Sequence, residues 1–233
     1  MIAVQINSIS QNKKRTKLEK VLLAQIKFEI LETFADVWRD AGILEQGAKS
    51  HQDILHFIEE DSPYTDSLCF DFHWIQIDEY VYPTTAAYDR LKEMGLELIS
   101  NDEIRILLQS LYEGHFPRLR KFNSFTPDIT TTFHDYYLNS FKPNSDPDLS
   151  FDFYFEDVKV GNLTYSDVYY QFTMNNGQTI GYKPLDFEAL KDDPKFMMLL
   201  DKTNRYRINR IRHYTSVRSI IKDVIHLIDQ ELE

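Results

Sequence analysis

Two Asp-x-x-His pairs carry the residues best suited to chemistry: Asp53-Ile54-Leu55-His56 and Asp223-Val224-Ile225-His226. A carboxylate and an imidazole three positions apart share one face of a helix. Helical bundles that hold two metal ions draw Glu-x-x-His pairs from facing helices in a related way. Asp53, His56, Asp223 and His226 are therefore the candidate metal ligands, provided that their helices bring them together. Five arginines (Arg205, Arg207, Arg210, Arg212 and Arg218) make one late stretch basic in a chain of net charge −11. Their chemistry is ion pairing, either with acids on neighbouring helices or with an acidic partner or anionic lipid. Arg205, Arg210 and Arg212, with Trp74, form the candidate partner surface. Glu59, Glu60 and Asp61 read as a solvated helix end, and His73 beside Trp74 as a packed histidine.

Other chemistries lack their residues. The chain has no Gly-rich phosphate loop, no His-Glu-x-x-His, no Gly-x-Ser-x-Gly and no Cys–His nucleophile pattern. Its single cysteine, Cys69, excludes an internal disulfide and a Cys-rich zinc site. The acidic balance argues against wrapping a nucleic-acid backbone, which needs a basic face. No catalytic residue and no cofactor are assigned on these grounds.

The elements that must position these side chains are mainly helical. Hydrophobic residues make up 42% of the chain, enough for a sizeable core, and only 7 glycines and 8 prolines argue against a loop-rich β fold. A first long helix is predicted from about Ser8 to about Glu60, on a stripe of Leu22, Ile26, Ile30, Phe34, Val37, Ala41, Leu44, Ala48 and Leu55. Gly42 and Gly47 weaken it locally and predict a bend or break. Asp61-Ser62-Pro63 ends it. A short helix is expected within Asp66 to Trp74.

Thr84 to Glu113 reads as helix, turn, helix. Thr84 or Thr85 caps the first helix, Gly95 takes its left-handed end, and Ser100 with Glu103 makes a capping box for the second. Gly114-His115-Phe116-Pro117 predicts a kink, with Leu119, Phe122 and Phe125 continuing the apolar face. Pro127-Asp128 starts another helix through Phe133, Tyr136, Tyr137 and Phe141. Lys142 to Asp148 reads as a loop.

Beyond it the period changes to alternation, at Phe151, Phe153 and Phe155 and again at Tyr170, Phe172 and Met174. With the turn signal Asn175-Asn176-Gly177, this predicts a small β-hairpin-like insert near 151–182. A last helix is predicted from Pro194 to Leu232, on Met197, Leu200, Ile208, Ile211, Tyr214, Val217, Ile221, Val224 and Ile228. The two long terminal helices most simply pack antiparallel in a helical bundle, with both chain ends at one pole. If their ends are level, Asp223 lies near residue 20, about 50 Å of helix rise from Asp53, and the metal site does not form.

Several blocks carry a resemblance. Ile2-Ala3-Val4-Gln5-Ile6-Asn7 and the basic stretch after it, Thr84-Thr85-Ala86-Ala87-Tyr88-Asp89-Arg90-Leu91-Lys92 with Gly95, Leu98-Ile99-Ser100-Asn101, and Pro184-Leu185-Asp186-Phe187-Glu188-Ala189-Leu190 running through Asp193-Pro194-Lys195-Phe196 resemble an uncharacterised bacterial family of single-span membrane proteins. The family is known only as a domain of unknown function. The resemblance implies that residues 1–17 are the remnant of a membrane helix with its basic juxtamembrane start, most of that helix lying ahead of Met1. Residues 18–233 are then one helical domain, with an insert at 143–183. It also implies a bacterial inner-membrane address with a periplasmic domain, whereas Lys13-Lys14-Arg15-Thr16-Lys17 by itself favours the cytoplasmic side.

The function expected from all this is a membrane-tethered extracytoplasmic helical module that binds or senses a ligand or serves as a scaffold. Its partners would be the membrane, through the N-terminal helix, and a protein or envelope component, with oligomers allowed and nucleic acid excluded. The alternatives are an enzyme whose site is built from the aromatic region and nearby acids, metal-dependent or not, and a self-associating spacer.

Overall fold

In a computed structural model of the protein the described residues are 2–121, 126–144, 146, 149–154, 158–161, 163–165, 169–173 and 181–233; side chains are described for these except at 2–10, 150–154, 163–165 and 169–173. Mainly helical architecture follows, dominated by a first helix α1 (Ile2–Glu59) and a last helix α8 (Pro194–Leu232). Between them lie α2 (Leu68–Trp74), α3 (Ala86–Met94), α4 (Asp102–Gln109), α5 (Phe116–Leu119), α6 (Ile129–Ser140) and α7 (Phe187–Lys191).

The long helices pack antiparallel, as their hydrophobic stripes require. Lys20 Nζ donates to the Leu232 carbonyl at 3.3 Å, Lys27 pairs with Asp229, and Arg218 approaches Glu45 at 4.0 Å. The chain ends therefore share one pole. They are not level, however. Lys20 sits beside the end of α8, so α1 runs on past it by about 27 Å at 1.5 Å per residue.

α1 runs unbroken through Gly42 and Gly47, so the break that they allowed is absent. It ends in a turn in which Ser62 N–H donates to the Phe57 carbonyl and Asp61 takes a φ of 49°, just ahead of Pro63. α8 starts where expected, with Asp193 accepting from the Lys195 N–H at 2.8 Å and Pro194 in the first turn.

The helix–turn–helix is fastened to α1 by two buried glutamates. Glu29 Oε1 accepts from the Ala87 N–H at 2.8 Å, satisfying an orphan donor at the start of α3. Thr85 occupies the cap position without a cap bond, its hydroxyl donating to Asp89. Glu19 Oε1 accepts from both the Ser100 N–H and its hydroxyl at 2.6 Å. The Ser100–Glu103 capping box is consequently absent. Asn101, one residue on, caps α4 by accepting from Glu103 and Ile104 N–H. Gly95 has the positive φ expected of it, 99°.

Pro117 is absorbed by a change of helix type. Residues Ser110–His115 form a π turn, which widens the helix and puts Pro117 in the first turn of α5, where its missing donor has no partner to lose. Buried Tyr112 stacks on Tyr88, ring centroids 4.2 Å apart. The helix then stops at Leu119 instead of continuing; Phe122 and Phe125 lie outside the described residues.

The insert is a ribbon of nested antiparallel pairs. β1 (Phe141–Pro143) pairs with β6 (Tyr182–Pro184), β2 (Ser150–Tyr154) with β5 (Tyr169–Thr173), and β3 (Val158–Val160) with β4 (Leu163–Tyr165). Phe151 stands opposite Phe172 and Phe153 opposite Tyr170, so the alternation was strand. Lys142 and Pro143, expected in a loop, are the outermost strand residues. Phe155, Met174 and Asn175-Asn176-Gly177 lie outside the described residues. Near the tip, Val160 is buried in the core, and Gly161 lies against Ile225 and Asp229 of α8.

Two main apolar cores result among the described residues, with a small cluster of Cys69, Phe70 and Trp74 beside them. One spans Leu22 to Leu44 of α1, Tyr214 to Ile228 of α8 and the helix–turn–helix. The other joins Ile54, α2, α6 and α7 to Phe196, Leu199 and Leu200 of α8. No helix among the described residues is long and apolar enough to cross a membrane.

Candidate functional site: a polar layer between two cores

Between the two cores the helix pair is polar. On α8 the buried line runs Leu200, Thr203, Arg207, Arg210, Tyr214, Val217, so two arginines occupy core positions at 0% and 1% exposure. Ile208 and Ile211, expected on that stripe, are exposed and half-buried. On α1 the buried line continues from Leu44 through Gly47, Ser50, His51 and Ile54, in place of Ala48 and Leu55, which are half-buried.

Arg207 reaches into the segment that follows α2. Its Nη2 donates to the Ile75 carbonyl at 2.5 Å and lies 3.4 Å from the Trp74 and Ile77 carbonyls. The Trp74 carbonyl ends α2 and also accepts from the Ile77 N–H, whereas the Ile75 and Ile77 carbonyls lie in the non-repetitive chain beyond it, where an unmet acceptor is costly. Arg207 Nε and Nη1, and both ring nitrogens of His51, have no hydrogen-bond partner among the described residues. Burial lowers His51 to about 4, with the Arg207 charge adding to it, so the ring is neutral at pH 7.

Gly47 makes this arrangement possible. A Cβ there would meet Arg207 Nε at 2.6 Å and the Trp74 carbonyl oxygen at 2.9 Å. Alanine normally favours a helix interior by ~1 kcal/mol over glycine. Here Gly47→Ala is expected to destabilise by about 1–3 kcal/mol through overpacking. Urea unfolding checks the sign, and a stabilised variant would show that Arg207 does not pack on α1.

Arg210 is the more fully paired of the two. Its Nε lies 3.2 Å from Asp78 Oδ1, an ion pair not aligned as a hydrogen bond. Its Nη1 donates to the Glu79 carbonyl at 3.2 Å and its Nη2 to Pro127 at 3.4 Å. The guanidinium also stacks 4.5 Å above the Tyr80 ring. Asp78 accepts from the Ile129 N–H and the Tyr80 hydroxyl, both at 2.9 Å, and that hydroxyl also contacts Asp128, the cap of α6. Burial nonetheless holds Asp78 above the ordinary carboxylate range, with Arg210 opposing it. One arginine thus ties α8, residues 78–80 and the start of α6 together.

Asp40 borders the layer from α1. It is 1% exposed, 3.2 Å from Arg39 and 3.5 Å from the Tyr214 hydroxyl. Burial, and then Glu79, push its pKa up to about 7.

The predicted site residues do not converge. Asp53 is half-buried, and His56, Asp223 and His226 are exposed. With Asp40 against Tyr214 and Gly47 against Arg207, Asp223 faces α1 near residue 31, not residue 20, because the ends are staggered. It remains about 33 Å of helix rise from Asp53. His226 contacts Gln230 instead. Among the described residues no group of three or more His, Cys, Asp or Glu side chains could hold a metal ion.

The proposed partner surface divides. Arg205 is exposed and paired with Asp201 on its own helix, and Arg212 is exposed. Arg210 and Trp74 are buried and belong to the interior, because the arginine repeat is in phase with the core stripe. His73 is packed, stacking on Tyr182 and lowered to about 4 by burial. Asp61 pairs with Lys191 at 2.9 Å.

The layer's chemistry is that of a lock. Arg210 is held by Asp78 and two backbone carbonyls, and Arg207 by backbone carbonyls through Nη2 alone. Buried ionic groups add little net stability but punish mispairing, so they fix which residues meet. No family model, no curated protein and no solved structure matches the chain.

Proposed function

We propose that the chain is a membrane-tethered helical binding or scaffold module, held at the bacterial inner membrane with its domain on the periplasmic side, in the single-span family that its sequence blocks resemble. The observation that best supports this is the staggered pole. Both chain ends lie there, α1 projects beyond α8, and residues 11–17, with Lys13, Lys14, Arg15 and Lys17, are exposed. A rod that leaves the body at one end is suited to holding the body away from an anchor. The partner would be a protein or envelope component met by the remaining surface.

Fractionation of the native host tests this reading. The expected result is a protein that resists alkaline carbonate extraction and is digested when protease is added to spheroplasts. Recovery in the soluble fraction would overturn the tether. Protection in spheroplasts would place the domain on the cytoplasmic side.

A further inference from the structure

The solvent face of α1 near this pole breaks the rule that its other face obeys. Leu22, Leu23, Ile26 and Ile30 are buried against the body. On the opposite side, Lys13, Lys17, Lys20, Val21, Ala24 and Phe28 recur at helical spacing and form one strip. Phe28 is 62% exposed and Val21 45%. A shallow groove of about 790 Å³ runs along its basic end, lined by Lys13, Lys17, Lys20, Val21, Ala24 and Leu232. A second of about 500 Å³ continues past Ala24 and Phe28 to Ala86 and Arg90 of α3. From Lys13 to Phe28 the strip is about 22 Å long, its apolar residues Val21 to Phe28 occupying about 10 Å of it between the lysines and Arg90.

The local charge of the strip, not the −11 of the whole chain, bears on the occupant. An acidic face of a second copy would complement the lysines as anionic lipid does, so the apolar residues beside them choose between the two. The strip offers Lys13, Lys17, Lys20 and Arg90. Of the nearby acids, Glu19 is engaged by Ser100, Asp229 by Lys27, Glu231 by Asn101 and Asp89 by Thr85, leaving Glu32, Glu233 and, a turn from Arg90, Glu93 exposed at the margins. Exposed aromatic and aliphatic groups beside lysines on one helix face are what an interfacial helix presents to anionic lipid.

We propose that this strip of α1 lies on an anionic bilayer surface, Val21, Ala24 and Phe28 entering the headgroup boundary and Lys13, Lys17, Lys20 and Arg90 meeting lipid phosphates. The core face points the other way, so the body rides on α1 as on a keel. This rests on the tether reading for the presence of a bilayer and replaces its upright rod with a recumbent one; because α1 is unbroken from Ile2, it requires the anchor to join α1 through a bend.

Flotation of the 233-residue chain with vesicles tests it. Vesicles of phosphatidylcholine alone are compared with vesicles carrying about one third phosphatidylglycerol. Binding is expected only to the anionic vesicles. It should fall roughly thirtyfold in Lys13→Gln/Lys17→Gln, at about fivefold per basic residue, and at least roughly tenfold in Val21→Ser/Phe28→Ser. Inorganic phosphate should displace no more protein than chloride at equal ionic strength, which separates a lipid surface from a phosphate site. Unchanged melting of both variants shows that they fold.

Equal binding to neutral vesicles, no binding, or variants that bind like the parent would overturn the proposal. So would dimers that become monomers in Val21→Ser/Phe28→Ser without any flotation, since the strip would then seat a second copy. Failure to float, with carbonate-resistant protein in the host, removes the strip and leaves the tether. Flotation with soluble native protein does the reverse.

Discussion

Replacing Arg210 with methionine is expected to destabilise the fold by about 3–5 kcal/mol, because it leaves a buried carboxylate without its counter-charge. Asp78 has a fully buried side chain, and its remaining partners are the Glu79 and Ile129 N–H groups and the Tyr80 hydroxyl, all neutral. The Glu79 and Pro127 carbonyls lose a donor in the same step. Such a loss is a large fraction of the 5–15 kcal/mol that typically holds a domain. Methionine keeps the length and apolar bulk, so the charge carries the effect. Adding Asp78→Asn is expected to restore roughly half of the loss, since the two changes share one interaction. Urea unfolding of the parent, both single variants and the double variant gives the coupling directly. A loss below about 1 kcal/mol would mean a solvated pair of ordinary surface strength.

Asp40→Asn is expected to act in the opposite sense, and most strongly at higher pH. Asp40 titrates near 3.8 when unfolded and at about 7 when folded. The folded state therefore binds its proton more tightly. The stability this contributes is fully present below about pH 4 and is lost as pH rises through 7. Three pH units of offset correspond to roughly 4 kcal/mol at most. The asparagine keeps the shape and has no charge to bury. At pH 5, where the unfolded carboxylate is already ionised, the variant should lead by only about 1–2 kcal/mol, and at pH 8 by about 4 kcal/mol. Denaturant midpoints at the two pH values check it. Equal differences at both would show that Asp40 is already ionised in the folded protein at pH 5.

Apolar periodicity made most of this architecture legible. The stripes of α1 and α8, the Pro127-Asp128 and Asp193-Pro194 helix starts and the alternating strands of the ribbon all follow from local spacing and capping. The polar layer did not. Thr203, Arg207, Arg210, Tyr214 and Val217 continue a helical stripe in perfect phase, but arginine is so seldom buried that Ile208 and Ile211 were the natural choice. That phase was the available signal. Gly47 read as a flaw in α1, because the close approach of Arg207 joins residues far apart in sequence. The capping box failed for the same reason, as Glu19 of α1 takes Ser100 away from its local partner. Tertiary partners overrode local rules at each of these places: Arg207 and Gly47 where α8 meets α1, Ser100 where Glu19 of α1 reaches it, and Arg210 where α8 meets residues 78–80 and the start of α6.

The distance between α1 and α8 positions tests the antiparallel, staggered pairing most directly. Spin labels placed by His56→Cys and His226→Cys sit on exposed sites, while Cys69 is buried, its thiol raised to about 11 by burial, and resists labelling. With residue 226 beside about residue 28 of α1, double electron–electron resonance should give a single narrow distance near 40 Å. A second pair, Val21→Cys with Glu233→Cys, should fall within about 20 Å, a few helix turns or less. A short first distance or a long second one would mean that the two helices do not run in opposite directions with their ends at one pole.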